Sequence, residues 1–438
     1  MNSPILLLSA PFRSAANLDT ARATAAEQTF LRDIEVLCAK LEKDLPKSIT
    51  VSSSIDSKSL AELKYSSIME DSLPSSAKPF LTLSFDTVTL EIGNNDDIRV
   101  YDCIVEFYDN TVAILKMAAD VVHNRPTESK VLPKNLDELT TLLCVDFLNK
   151  NASVFEEVDR AIQLLIQAGE VTCFLAKDSF KIFEHEAIEL TPVTPLWVTR
   201  IAIIDKNRVD VVSLESWIQN KVNEKNGVNF SDATAYFFIG NSLVIGVLQE
   251  DEIHSLRSAL STATYFYVLA DLINTTLRNM VSKSRVSEEA QRETYYASHM
   301  RIASHIDFIE SLFNDVWLGL QGHRKMVATA LFFTWEYDLL KSSLAVKREL
   351  LNKDISAAIE RRHIRNEKMV EISLAAIGGV AVLDFCINLF AYSRDQSFSP
   401  DEIPGFTDWP SISSIDLSLY SIAIAIGALA VAIARKER

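Results

Sequence analysis

Two apolar runs near the C-terminus constrain this chain more than any other feature. Ile372 to Phe390 reads ISLAAIGGVAVLDFCINLF, nineteen residues carrying the single charge of Asp384, and Leu417 to Ala434 reads LSLYSIAIAIGALAVAIA, eighteen residues with none. At about 1.5 Å of rise per residue, either run can span a hydrocarbon core of about 30 Å. Two buried helices of a soluble core are the competing reading, but both runs are longer than a typical buried helix and the second has no polar face. The sequence therefore predicts two C-terminal membrane spans behind a large extramembrane region. Composition hides this, because 48% hydrophobic residues, 23% charged residues and a net charge of −16 would suit an ordinary acidic soluble protein.

The flanks set the expected orientation. The approach to the first span is RRHIRNEK (Arg361 to Lys368) and the chain ends at Arg435, Lys436, Glu437 and Arg438, so both basic flanks are expected on the cytoplasmic side of an inner membrane. The connector carries Asp395, Asp401, Glu402, Asp408 and Asp416 against Arg394 and is expected outside. Both termini are then cytoplasmic. The apolar run Ile5 to Leu8 is too short for a secretory h-region and lacks a basic stretch before it. Cys38, Cys103, Cys144, Cys173 and Cys386 are scattered without CxxC or Cys/His spacing, which reads as reduced thiols rather than a disulfide frame or a zinc site.

Chain breakers divide the rest. All twelve prolines lie at or before Pro195 or at and after Pro400, and Val247 to Leu318 also lacks glycine, as does His323 to Ile377. Long helices are expected there. Upstream, β-branched and aromatic runs predict strands over Phe80 to Gly93, Arg99 to Asp109, Val171 to Phe183, Leu196 to Asp205, and Thr234 to Leu248. Helices are expected over Thr20 to Leu45, Thr111 to His123, Leu136 to Asn149, and Ser153 to Ala168, and the Ser-rich passage Ser48 to Ser76 reads as loop.

The resulting fold class is an α/β or α+β cytoplasmic domain followed by a long stalk helix and two transmembrane helices. By residue, 1–80 hold an N-terminal helix and the Ser-rich segment, 81–250 the α/β domain, 251–322 a helical region and 323–371 the stalk. The first transmembrane helix takes 372–393, an external loop 394–416, the second transmembrane helix 417–434 and a basic cytoplasmic tail 435–438.

From His323 to Phe390 nothing in the sequence interrupts a helix, and about 68 residues would make a rod of roughly 100 Å. Leu340, Leu344, Leu351, Ile355 and Ile359 recur at spacings of four or seven, the seam expected where copies of one helix pack around an axis. Packing within one subunit would give the same pattern. In the first span, an ionised Asp384 facing lipid would be costly, so it is expected to face water or a neighbouring helix. Asn388 lies one turn further out on the same face, and Val380, Ala376 or Ile377, Ser373 and Met369 continue the stripe inward. In a symmetric bundle this stripe presents a carboxylate ring outside and an apolar constriction inside, one able to attract cations and the other to gate by dewetting. A protonated Asp384 bonded to the second span is the alternative.

With these residues in view, the C-terminal 200 or so residues resemble the CorA-type metal ion transporters. AYFFIGNSLVIGVLQ (Ala235 to Gln249) is similar to the family's strand pair before its helical region, and YFYVLADLINTTLRNM (Tyr265 to Met280) to the helix that follows. NEKMVEISLAAIGGV (Asn366 to Val380) is similar to the entry into the family's first span, and the acidic connector, second span and basic tail agree in length and place. The resemblance implies a homopentamer around the first span, with a funnel of cytoplasmic domains above a long stalk helix. It also implies that Met369 and Ile372 or Ser373 form a hydrophobic gate, and that Val380 and Asp384 line the upper pore. The stripe Met369, Ile372, Ser373, Ala376, Val380, Asp384 and Asn388 is thus the candidate pore lining. Cytoplasmic carboxylates bind regulatory cations in that family, which makes Asp354, Asp307, Glu310 and Asp315 candidates, and Asp384 and Asp354 the candidate metal contacts for a divalent cation such as Mg²⁺, as transported or regulatory ion.

The sequence departs from the family at its hallmark Gly-Met-Asn, which should fall near Phe390 to Ser393, where this chain reads Phe-Ala-Tyr-Ser. Mg²⁺ selectivity is therefore not implied. Proteins with CorA-like membrane ends and altered pores also act as effectors in prokaryotic antiphage defence, opened by a nucleotide second messenger, and a small-molecule or nucleotide ligand of the cytoplasmic domain is the matching alternative. A non-conducting membrane-anchored scaffold is a third. No enzyme is expected, since His123, His185, His254, His299, His305, His323 and His363 form no HExxH and there is no GxSxG, phosphate loop or GxGxxG. The excess of 59 acidic over 43 basic residues disfavours nucleic acid as a partner. The expected partners are further copies of the chain and the lipid bilayer.

Overall fold

The computed structural model describes residues 4–18, 22–23, 26–53, 79–86, 98–121, 135–175, 193–206, 211–219, 227–286, 303 and 306–395, with the side chains of 211–213, 283–286, 358, 383 and 386–395 excepted. The second apolar run 417–434, most of the connector 394–416, the tail 435–438 and the Ser-rich residues 54–76 lie outside the described residues. Two compact units divide the chain, residues 1–351 and residues 352–438.

The first unit is built on one nine-stranded sheet, ordered β2-β3-β4-β5-β1-β6-β9-β8-β7. Its strands are β1 (Ile5–Arg13), β2 (Ile49–Ser52), β3 (Leu81–Phe85), β4 (Ile98–Phe107) and β5 (Val112–Val121), then β6 (Thr199–Ile204), β7 (Val228–Asn229), β8 (Asp232–Tyr236) and β9 (Asn241–Val247). Among the described strands, only β6 and β9 pair in parallel. The helices are α1 (Glu27–Asp44), α2 (Leu136–Lys150), α3 (Ala152–Ala168), α4 (Val211–Ile218), α5 (Glu250–Val286), α6 (Gly322–Thr334) and α7 (Tyr337–Asp395), with a further helical segment over 306–319.

Alternation along β1 explains the layering. Leu6, Leu8, Ala10 and Phe12 enter one core with Phe30, Ile34, Leu37 and Leu41 of α1 and Phe155, Val158 and Ile162 of α3. Phe12 meets Phe155 at 5.2 Å between ring centroids. The opposite face, with buried Leu7, is where α5 touches β1 and β5. There Tyr108 stacks on Tyr265 at 4.8 Å, and Arg257 bonds Asp102 at 2.5 Å. A strand buried on both faces needs an apolar residue at nearly every position, and β1 and β6 read that way.

Several expectations are corrected here. Of Thr111 to His123, expected as helix, 122–123 lie outside the described residues and Val112–Val121 is strand β5, held between β4 and β1. Its residues VAILKMAADV form helices readily, yet the slot between two partners decides. The turn before it puts Asn110 (φ 62) and Thr111 (φ 61) in the left-handed region, with the Asn110 amide donating to Asp109 at 2.6 Å. Residues 1–80 do not stand apart, because β1 is central to the sheet and β2, inside the expected Ser-rich loop, pairs with β3. Of Val171 to Phe183, the described part contributes one isolated bridge, Phe174 to Leu18, rather than a strand.

Elsewhere sequence and structure agree closely. The stretch Thr234 to Leu248 forms the antiparallel pair β8 and β9. Gly246 (φ 130) is required there, since a Cβ would fall 2.2 Å from the Asp232 carbonyl oxygen. Glu252 then ties this hairpin to α5: its carboxylate accepts from the Ser231 amide (2.9 Å), the Ser231 hydroxyl (2.6 Å) and the Gln249 amide (2.9 Å).

The expected unbroken rod from His323 is interrupted at Trp335 and Glu336, where Glu336 takes φ 54. Neither residue is a breaker. The aromatic cluster supplies the cause, with Tyr337 packed 4.5 Å from Phe332 and 5.3 Å from Phe313, and Trp335 edge-on to Tyr267 at 5.5 Å. Burying Trp335 and Tyr337 together fixes the backbone between them. The second helix then continues for 59 residues to Asp395, two residues past the expected end at 393.

Candidate functional site

The candidate pore residues all lie on α7, whose first turns are rooted in the sheet-bearing unit. Lys347 donates to Asn274 of α5 and to the Ser343 hydroxyl (3.0 Å), and Ser343 also bonds Asn274 at 3.2 Å. Burial, with Arg278 nearby, pulls the Lys347 ammonium below its ordinary value, while Asp271 opposes this. Arg348 bonds Asp307 and, at 3.2 Å, Glu310 on segment 306–319. Tyr337 is buried among the aromatics, which raises its phenol above the ordinary range, with Glu310 and Asp338 adding to the rise. Sequence reasoning missed Asn274, Lys347 and Tyr337 as a group. They lie 63 to 73 positions apart across α5 and α7, and only the fold joins them.

Three of the five residues of the expected oligomer seam are buried within the chain. Leu344 and Leu351 are buried, Leu351 at 2% exposure, and Ile355 is buried as well, whereas Ile359 is 56% exposed. The seam is therefore corrected to an intrachain contact over its first part. Asp307 and Glu310 are likewise ion-paired with Arg348 rather than gathered as a cation site. Asp354 is half-buried, and among the described residues no cluster of three or more His, Cys, Asp or Glu could hold a metal ion.

Beyond Ile355, α7 has a different surface. Met369 (64%), Val380 (54%), Ser373 and Asp384 are exposed, Ile372 and Ala376 are half-buried, and the side chain of Asn388 lies outside the described residues. Leu374, Ile377, Val382 and Phe385 are exposed too, so apolar side chains cover an arc of about 200° at about 100° per residue. Among the described residues, no helix is long and apolar enough to cross a membrane. Of the first run, described side chains end at Phe385.

A second polar constellation lies inside the sheet unit. Arg200 of β6 donates to Thr140 Oγ1 (2.5 Å), Thr141 Oγ1 (2.5 Å), the Asp137 carbonyl (2.8 Å), the Val198 carbonyl (3.1 Å) and Asn241 Oδ1 (3.4 Å). Asp137 accepts in turn from Trp217 Nε1 (2.8 Å) and Asn241 Nδ2 (2.9 Å). Burial pulls the Arg200 guanidinium below its ordinary value against the pull of Asp137, yet an arginine stays charged. With its donors all engaged, this group ties α2, α4, β6 and β9 together and offers no free hand to a ligand.

No protein-family model, curated protein or solved structure matches the chain.

Proposed function

We propose that the chain is one protomer of a CorA-like homo-oligomeric channel or transporter in the inner membrane, passing cations through a pore lined by the outer half of α7. One observation carries this reading. A single helix is clamped by side chains to α5 and 306–319 at its start and then exposes Met369, Leu374, Ile377, Val380, Val382 and Phe385. Each large apolar side chain left in water forgoes about 1.5–3 kcal/mol, so a surface of this kind calls for lipid or other copies.

On this reading the parts have distinct roles. Asp384 concentrates cations at the outer end of the lining. Met369, Ile372 and Ser373 form the inner constriction, whose dewetting closes the path. Movement of the sheet unit reaches the lining through Lys347, Arg348 and Tyr337. Flow follows the ion's electrochemical gradient and needs no bond to be made or broken.

Purified full-length chain reconstituted in liposomes is to be compared with Asp384→Asn under Na⁺, K⁺ and Mg²⁺ gradients. Cation flux that weakens or loses selectivity in the variant supports the proposal. Absence of flux under every ion refutes constitutive conduction and favours a ligand-gated effector or a scaffold.

A further inference from the structure

Just inside the candidate lining, the charges of α7 are placed unevenly around the helix. At about 100° per residue, Met369, Ser373, Val380 and Asp384 share one arc about 60° wide. Arg362 falls about 10° from the middle of that arc and Arg365 about 70° from it, and both are exposed. Every other charged or titratable side chain from 353 to 371 stands further round. Asp354 and His363 lie about 90° away, and Arg361 and Lys368 about 110–130°. Lys353, Glu360, Glu367 and Glu371 lie about 130–170° away, close to the opposite side. Arg361 also lies back along its own helix, its Nε donating to the Ala357 carbonyl at 3.0 Å.

Along the axis, Arg365 and Arg362 precede Met369 by one and two turns, which sets their Cα atoms about 6 Å and about 10 Å inward of it. Asp384 lies about 28 Å beyond Arg365 and about 33 Å beyond Arg362. The face between them is apolar, and Ser373 does not interrupt it, because its hydroxyl donates to the Met369 carbonyl at 2.8 Å. At physiological ionic strength a charge is screened over about 8 Å, so the carboxylate and the two guanidinium groups do not cancel but form separate zones of opposite sign. Asp354, about 12 Å inward of Arg362 and a quarter turn off its face, is also beyond that screening distance. An arginine keeps its charge at every physiological pH, so the inner zone is permanent.

We infer that Arg362 and Arg365 are specificity-determining residues of the pore, a guanidinium zone that holds small anions at the inner mouth and makes conduction run inward more readily than outward. Inward current draws cations from the Asp384 zone and anions from the arginine zone toward each other, which fills the apolar middle with carriers. Outward current draws both away and empties it. The inference rests on the proposed pore and adds which ion each end holds and which way current passes.

The test is patch recording of the full-length chain in giant bacterial spheroplasts, where every copy keeps its native orientation, against spheroplasts without it. The variants are Arg362→Gln with Arg365→Gln and, as a control of equal charge off the lining, Arg361→Gln with Lys368→Gln. All four side chains are exposed, so the fold of the protomer is not at stake. At about 100 mV of either sign in chloride salts, the parent is expected to pass at least about threefold more inward than outward current. The Arg362/Arg365 pair is expected to bring that ratio to about one, and the control pair to leave it as in the parent. The parent's ratio should also shrink between about 0.1 M and about 1 M salt, where screening shortens to about 3 Å, a measurement that needs no variant. Parent currents that are linear or run outward overturn the inference and leave the channel proposal standing. So do a ratio unmoved by the Arg362/Arg365 pair and an equal loss in the control pair, which would assign the effect to the overall charge of this stretch. A parent chain that passes no current under any condition overturns both.

Discussion

Truncating Leu351 to alanine separates a helix that packs within its own chain from one that packs only against copies. At 2% exposure the side chain is buried, while Ile359, two turns further along the same expected seam, is 56% exposed. Leu→Ala removes three carbons, worth about 2.4 kcal/mol at about 0.8 kcal/mol per buried carbon, and the cavity left behind brings the cost to about 3–4 kcal/mol. Ile359→Ala should change stability by less than about 0.5 kcal/mol. Chemical denaturation of the full-length protein in detergent, followed by circular dichroism at several protein concentrations, measures both. The expected result is a large loss for Leu351→Ala that does not depend on concentration and almost none for Ile359→Ala. Equal small effects, or losses that vanish on dilution for both, would refute the division of the seam into a cis-packed and an open part.

Other perturbations follow from the same geometry. Asp137→Ala removes the carboxylate that accepts from Trp217 and Asn241 and should cost about 1–3 kcal/mol in denaturation experiments, because two partly buried donors lose their acceptor. Glu336→Gly should be neutral or stabilise by about 0.5–1 kcal/mol in thermal unfolding, since Glu336 sits at φ 54, where glycine is unstrained. For Glu252, burial alone would raise the carboxyl, but the Ser231 hydroxyl and the Gln249 and Ser231 amides outweigh it and hold it below its ordinary value, with His323 assisting. A depressed folded value means that its contribution is present above the unfolded value and is lost as pH falls through the folded one. Stability measured from pH 6 to pH 3 should therefore fall less steeply in Glu252→Gln than in the parent.

What could be read from the sequence divides along physical lines. The hairpin Asp232–Val247 was legible because β-rich runs flank a Gly-Asn turn, and α2, α3 and α5 because their helical pattern is local. Strand β5 was not, since VAILKMAADV carries good helix formers and becomes a strand only through its two neighbours. Strand β1 was equally hidden, because its short apolar run becomes a strand only between β5 and β6, both distant in sequence. The break at Trp335 and Glu336 has no glycine or proline to announce it, because distant aromatics impose it. In the candidate site, the stripe from Met369 to Asp384 followed from helical spacing alone. The clamp of Lys347 on Asn274 and of Arg348 on Asp307 and Glu310 did not, because it joins three helices that only the tertiary fold brings together.

The most direct test of the central claim is thiol blocking along α7 during ion flux. In a Cys386→Ser background, cysteine is placed singly at Ser373, Val380 and Val382, and a small charged, water-borne thiol reagent is added to conducting proteoliposomes. The account predicts that flux through the Ser373→Cys and Val380→Cys channels is blocked, because those positions share the face of Asp384, and that flux through Val382→Cys, on the opposite side of the helix, persists. Block at Val382 with none at Ser373 or Val380 would contradict a pore lined by this face of α7.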